Sequence, residues 1–165
     1  MPPGPHSLAR LRIWSGAKNQ ASRDYAARRR LPERLDEWKG HSIIGFADQG
    51  SNVHLARWSD FVTRQGSIVM RCSSRGDMLA AVRAGLGISA LSCLIAAAYP
   101  DLVRVAPRKL ASVSDLWLLA HPDLVELPAV RAVIDFVADC ARIDRVALGG
   151  SDYVAGTPSR FFTVR

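Results

Sequence analysis

With 165 residues, 48% hydrophobic and 22% charged, the chain is long enough to bury one α/β core and too short for two full domains, and its composition excludes global disorder. Twenty-two basic residues stand against fifteen acidic, a net charge of +7. Residues 1–41 hold nine basic and four acidic residues and residues 42–165 hold thirteen and eleven, so the excess is read as a solvated basic arm on a nearly balanced folded part rather than as a nucleic-acid surface.

Residues 1–20 carry prolines and glycines without sustained periodicity and read as a poorly ordered lead. Ser22 caps a short helix that ends by Leu31-Pro32, and a second turn from Glu33 to Trp38 stops at Gly40. The apolar run Ser42–Ala47 reads as a buried parallel strand. The polar loop Asp48–Asn52 follows, then Leu55, Trp58 and Val62 at helical spacing. Ile68–Cys72 is the next strand. Ser73-Ser74 opens a helix with Met78, Leu79, Val82 and Leu86 on its apolar face, and Ser74 and Asp77 have capping-box spacing. Gly85-Leu86-Gly87 turns this helix into a strand over Ile88–Leu91. Residues 93–98 form a short helix, Leu102–Val105 an edge strand, and Leu116–Ala120 an apolar strand. Pro128 starts the final helix, with Val130, Val133, Ile134, Val137 and Ala141 on one face and an Arg131–Asp135 pair on the other. Residues 146–165 read as a tail.

Strands alternating with helices predict a mostly parallel sheet covered on both faces, with ligands held beyond the carboxyl ends of strands. Two such ends are polar, residues 47–52 and 73–75, and both lead into helix N-termini, where free N–H groups and the helix dipole favour an anion. These segments nominate Phe46, Asp48, Ser51, Asn52, Ser73, Ser74 and Arg75 as effector contacts. Gly85-Leu86-Gly87-Ile88-Ser89-Ala90 matches a dinucleotide fingerprint in letters, but a helix precedes it and a strand follows, the reverse of the required context. Ser73-Ser74-Arg75 has no base placed beside it, and no nucleophile elbow occurs. His41, His54 and His121 match no metal spacing. Cys72, Cys93 and Cys140 match neither a disulfide framework nor a zinc site and are expected as buried free thiols in a reducing compartment. No cofactor, metal or catalytic constellation is expected. No apolar run approaches the ~20 residues that span a membrane, and Met1-Pro2-Pro3-Gly4-Pro5 lacks the apolar core of a secretory signal.

Four segments resemble the C-terminal regulatory domain of LysR-type transcriptional regulators, in the family's order, over about Ala21 to Arg142. They are Ala21-Ser22-Arg23-Asp24-Tyr25-Ala26-Ala27-Arg28-Arg29, the stretch Pro32–His41, Val82-Arg83-Ala84-Gly85-Leu86-Gly87-Ile88, and Val130-Arg131-Ala132-Val133-Ile134-Asp135-Phe136-Val137. The chain departs from the pattern at Ser92, where the family usually has proline. The resemblance implies a type II periplasmic-binding-protein fold, with two α/β subdomains around a small effector. It implies effector contacts from the loop after residues 43–46 and from the helix start at 73–75.

On this reading residues 1–20 are a lead. Residues 21–115 are one largely complete Rossmann-like regulatory subdomain. Residues 116–143 are the crossover strand and final helix of the other subdomain, of which only a remnant is expected, and residues 144–165 are a tail. The expected function is cytoplasmic sensing of a small, anionic effector, without the DNA-binding helices. DNA would be met only through a missing N-terminal domain. The alternatives are a stand-alone periplasmic-binding-type binder and a non-functional truncated remnant. The apolar face of the last helix would lack its usual partner, so repacking, cover by a terminal segment, or self-association is expected.

Overall fold

Residues 9–47, 58, 62, 64–106 and 112–149 are described in a computed structural model of the chain. The strands are β1 (Ala9–Ser22), β2 (Ser42–Phe46), β3 (Ser67–Cys72), β4 (Ser89–Ser92), β5 (Leu102–Arg104) and β6 (Ser112–Ala120). The helices are α1 (Arg23–Arg28), α2 (Arg75–Arg83), α3 (Cys93–Ala97), α4 (Pro122–Val125), α5 (Pro128–Ile143) and α6 (Arg145–Gly149), with a 3-10 turn over Leu35–Trp38. Trp58 and Val62 are also helical. The chain divides into a larger unit, residues 16–113, and a smaller one, residues 1–15 and 114–165.

In the larger unit β2 is apolar from Ile43 to Phe46, and both its faces are covered. Successive strand residues point to opposite faces, so Ile43 and Ile44 enter different cores. Ile43 packs with Ala21, Tyr25, Trp38, Trp58, Val62, Ile88, Ala90 and Val105. Ile44 packs with Cys72, Met78, Ala81, Val82 and Leu91. The same alternation sends Ala90 to the first core and Leu91 to the second, and splits Val103 from Leu102. Strand β3 keeps this order only through an irregularity. Ile68 lies opposite Ile43 but Met70 lies opposite Ile44, so one extra residue shifts the parity and Cys72 reaches the second core. Helix α2 covers that face with Met78, Ala81 and Val82.

Strands β2 and β3 pair in parallel. On the other side of β2, Ile88 forms a parallel bridge with Ile43: the Ile44 N–H donates to the Ile88 carbonyl and the Ile88 N–H to the Ser42 carbonyl, each at 2.9 Å. Strand β1 lies between β4 and β5, antiparallel to both, and also pairs with β6. The α/β architecture is as expected, but the strands form two sheets, parallel β2–β3 and a four-stranded one in which β1 is antiparallel to β4 and β5, pairs that the helix–strand alternation did not reveal.

Four further expectations are corrected. Residues 9–20 are not a lead: they belong to β1, and Lys18, Asn19 and Gln20 are buried. Those polar residues hid a strand whose first half, Arg10-Leu11-Arg12-Ile13, does alternate. The basic residues of α1 are not on a free arm either. Arg28 donates to the Gly85 carbonyl at 2.8 Å and Arg29 to the Gly40 carbonyl at 2.6 Å. Residues 145–149 extend the ordered chain as α6, with Leu148 buried, where a tail was expected. On α5 the ion pair joins Arg142 to Asp139, not Arg131 to Asp135, and Val133 remains 59% exposed.

The turn from α2 into β4 fixes the spacing of the sheet. Gly85 has φ +74°, a conformation glycine adopts without steric cost. A Cβ on Gly87 would lie 2.4 Å from the Ser42 carbonyl oxygen, whereas one on Gly76 would meet nothing closer than Ser74 Oγ at 3.7 Å. Gly87→Ala should therefore destabilise the chain by at least about 2 kcal/mol. Gly76→Ala, at an exposed position of α2, should be neutral or stabilising by up to about 1 kcal/mol. Urea denaturation of both variants checks the contrast; equal stabilities would contradict it.

Candidate functional site

The parallel pairing of β2 and β3 brings the two polar strand ends together. Phe46 lies opposite Cys72, and the Ala47 N–H donates to the Cys72 carbonyl at 2.8 Å. The chain therefore leaves the sheet at two adjacent points: after β2 into residues 48–52, and after β3 through Ser73 into α2. Asp48, Ser51 and Asn52 lie outside the described residues. Phe46 is half-buried and packs against both cores, so it closes the interior just beneath this edge.

Helix α2 begins here because Ser74 caps it. Its Oγ accepts from the Asp77 N–H at 3.1 Å, and its carbonyl accepts from the Met78 N–H at 3.2 Å. One orphan donor of the first turn is thereby satisfied. Ser73 and Arg75 are exposed, and among the described residues neither makes a hydrogen bond or ion pair. The Ser74 hydroxyl still has its own proton to donate outward, since accepting the cap bond uses only a lone pair.

Two charged neighbours were not nominated from sequence. Arg71, exposed on β3, sits opposite Gly45, where its Nη1 would lie 4.0 Å from a Cβ on that glycine. Only the register places Arg71 at the edge; its position one residue before Cys72 was the available signal. Asp77 lies close enough to influence Cys72, whose thiol is pushed up first by burial and then by the Asp77 carboxylate. Among the described residues the edge thus carries two arginines, Arg71 and Arg75, and one carboxylate, Asp77.

The remaining chemical groups lead elsewhere. Cys72 and Cys93 are buried thiols outside any disulfide, and Cys140 is partly buried. His121 caps α4, its Nδ1 accepting from the Asp123 N–H at 3.3 Å. Among the described residues no group of three or more His, Cys, Asp or Glu could hold a metal ion, and no helix is long and apolar enough to cross a membrane.

Comparison with known proteins gives a consistent picture. The LysR substrate binding domain family matches residues 20–142. Direct comparison with curated proteins finds no match. Among solved structures, the regulatory domain of CrgA, a LysR-type transcriptional regulator from Neisseria meningitidis, is similar with a TM-score of 0.66 at 19% identity, over 86% of this chain and 72% of that one. The CcmR regulatory domain of Synechocystis PCC6803, solved in complex with 2-PG, gives 0.59 at 16% identity over 86% and 71%. Full-length AphB of Vibrio cholerae, a virulence activator, gives 0.59 at 19% over 85% and 50%. These likenesses give the chain the fold of LysR regulatory domains, the type II periplasmic-binding-like arrangement expected from sequence. The chain spans about half the length of the full-length regulators.

The capping geometry separates the two serines. Ser74→Ala removes the cap and should cost about 1 kcal/mol, while Ser73→Ala should leave stability unchanged within about 0.5 kcal/mol. Thermal or urea unfolding of the pair measures the difference. Equal losses would mean that the cap contributes nothing.

Proposed function

The chain belongs to the LysR substrate binding domain family, the effector-sensing part of LysR-type regulators, and on that premise we propose that it holds a small anionic effector at the paired ends of β2 and β3. The observation that carries the reading is the register of Phe46 against Cys72, which sets Ser73, Ser74 and Arg75 beside the exit of β2. Phe46 serves as the apolar floor. Ser73 and Ser74 donate hydroxyl protons, Arg75 supplies a charge, and Asp48, Ser51 and Asn52 contribute from the adjoining loop. The N–H groups of the first turn of α2 favour a carboxylate or phosphate. Charge distribution supports an anion as well. The larger unit holds fifteen basic and eight acidic residues, while the smaller holds seven of each, so the whole excess lies on the unit that bears this edge.

The same reading makes the protein a binder of its effector, through the hydroxyls, cations and N–H donors of this edge. It also makes it the cytoplasmic sensing part of a regulator whose DNA contacts come from another domain. Arg28 and Arg29, held by the Gly85 and Gly40 carbonyls, act as structural groups in it, not as a DNA surface. Self-association through the smaller unit is part of the proposal. That unit has no net charge, and on α5 Val133 is 59%, Phe136 67% and Ile143 77% exposed, a larger apolar display than a monomeric surface usually carries.

Titration calorimetry with 2-PG and a panel of small carboxylates and phosphates tests the site. At least one anion should bind, and Arg75→Ala and Ser73→Ala should each weaken it about tenfold, the value of one lost charge-assisted hydrogen bond. Binding unaffected by either change would place the site elsewhere. For self-association, light scattering should report a dimer or larger species that Val133→Asp converts to monomer. A wild-type monomer would refute that part.

A further inference from the structure

At the opposite end of β2 from the effector edge, a buried polar relay joins α1 to the sheet. Tyr25 and His41 are both buried. The Tyr25 hydroxyl lies 3.0 Å from His41 Nδ1, and the Ser42 N–H donates to the same hydroxyl oxygen at 3.1 Å. A hydroxyl has one proton to give. With Ser42 donating to the hydroxyl, the arrangement that also uses the Tyr25 O–H proton has it donated to an unprotonated Nδ1, with His41 neutral and its proton on Nε2. The backbone of His41 is tied at the same place: its N–H donates to the Trp38 carbonyl at 3.1 Å, and its carbonyl accepts from the Ser67 N–H at 3.0 Å. One side chain therefore stands where α1, the 3-10 turn and the starts of β2 and β3 meet.

We propose that Tyr25, His41 and Ser42 form an acid-sensitive latch: protonating Nδ1 removes the acceptor of the Tyr25 hydroxyl, leaves that buried proton without a partner and releases α1 from the start of β2. Among the described residues no carboxylate acts on the imidazole. From α1 and its cap the groups facing His41 are the Tyr25 hydroxyl and the Arg29 guanidinium, which is anchored on the Gly40 carbonyl next door. The 3-10 turn and β3 meet the His41 backbone rather than its ring, through the Trp38 carbonyl and the Ser67 N–H. Asp36 and Glu37 on the 3-10 turn are exposed, and Arg29 is the charge that acts on the imidazole. Burial first, and then Arg29, hold the histidine below its ordinary value. A histidine depressed in the folded state binds its proton more readily once released. The latch is therefore fully closed above the ordinary histidine value of about 6.5 and weakens as pH falls from there towards the lower folded value.

The test follows the His41 ring and the Ser42 amide by NMR in the intact 165-residue chain between pH 7.5 and 5. Hydrogen exchange at Ser42, corrected for its intrinsic pH dependence, should speed up about tenfold per unit of depression in the His41 value. It should do so together with the Tyr25 and Ala26 amides of α1, while α2 amides stay protected. His41→Gln, which keeps a neutral acceptor at every pH, should abolish this dependence, and His121→Gln, at an exposed cap, should preserve it. Should the glutamine variant fail to fold, the wild-type titration alone decides. An ordinary His41 titration with unchanged Ser42 exchange would overturn the proposal, and so would a pH dependence that survives in His41→Gln.

Discussion

A strand covered on both faces has no solvent side on which to place a polar residue, and β2 imposes that condition on most of the larger unit. Ile43 and Ile44 are both fully buried, one in each core. Fully burying such a side chain contributes about 1.5–3 kcal/mol, a sizeable share of a domain stability of roughly 5–15 kcal/mol. Every neighbouring element answers to these two residues. Tyr25, Trp38, Trp58 and Val62 close one face, Met78, Ala81 and Val82 close the other, and Gly87 lets Ile88 approach the open edge. A strand so enclosed can meet solvent only at its ends. One end carries the proposed effector edge and the other carries Tyr25 and His41.

The smaller unit obeys a different rule. Leu116, Trp117 and Leu119 on β6 are exposed, as are Val133, Phe136 and Ile143 on α5, and no residue of α5 is buried. Amphipathic helices draw most of their stability from packing, so an apolar face of this extent on a 16-residue helix implies a covering surface. Neutral net charge in this unit means that two copies could approach without the repulsion the larger unit would impose.

Features carried by local chemistry were legible in the sequence. The uninterrupted run Ser42–Phe46 announced a strand buried on both sides, Ser74 and Asp77 announced a cap, and Gly85-Leu86-Gly87 announced the turn that admits Ile88. Features imposed by distant partners were not. Strand β1 buries Asn19 because Trp58 Nε1, thirty-nine residues away, donates to its Oδ1 at 2.6 Å, and no local pattern marks Lys18-Asn19-Gln20 as interior. Arg71 comes opposite Gly45, beside these strand ends, only through the irregular register of β3. Tyr25 and His41 were read separately, one as a helix residue and one as a histidine without metal spacing, because their hydrogen bond exists only once α1 folds back on β2. Of the nominated contacts, Phe46, Ser73, Ser74 and Arg75 lie at neighbouring strand ends. The place of Asp48, Ser51 and Asn52 is the part of the proposal that rests on sequence alone.

The central claim is that the ends of β2 and β3 form one ligand-holding edge. Its most direct test is a map of amide chemical-shift changes in the isotopically labelled chain as a small carboxylate or phosphate that binds it is added. The account predicts that the largest changes fall together at Phe46, Ala47 and Ser73–Asp77, with α1 and α5 silent. Changes centred on α1 or α5, with those strand-end amides unmoved, would contradict it.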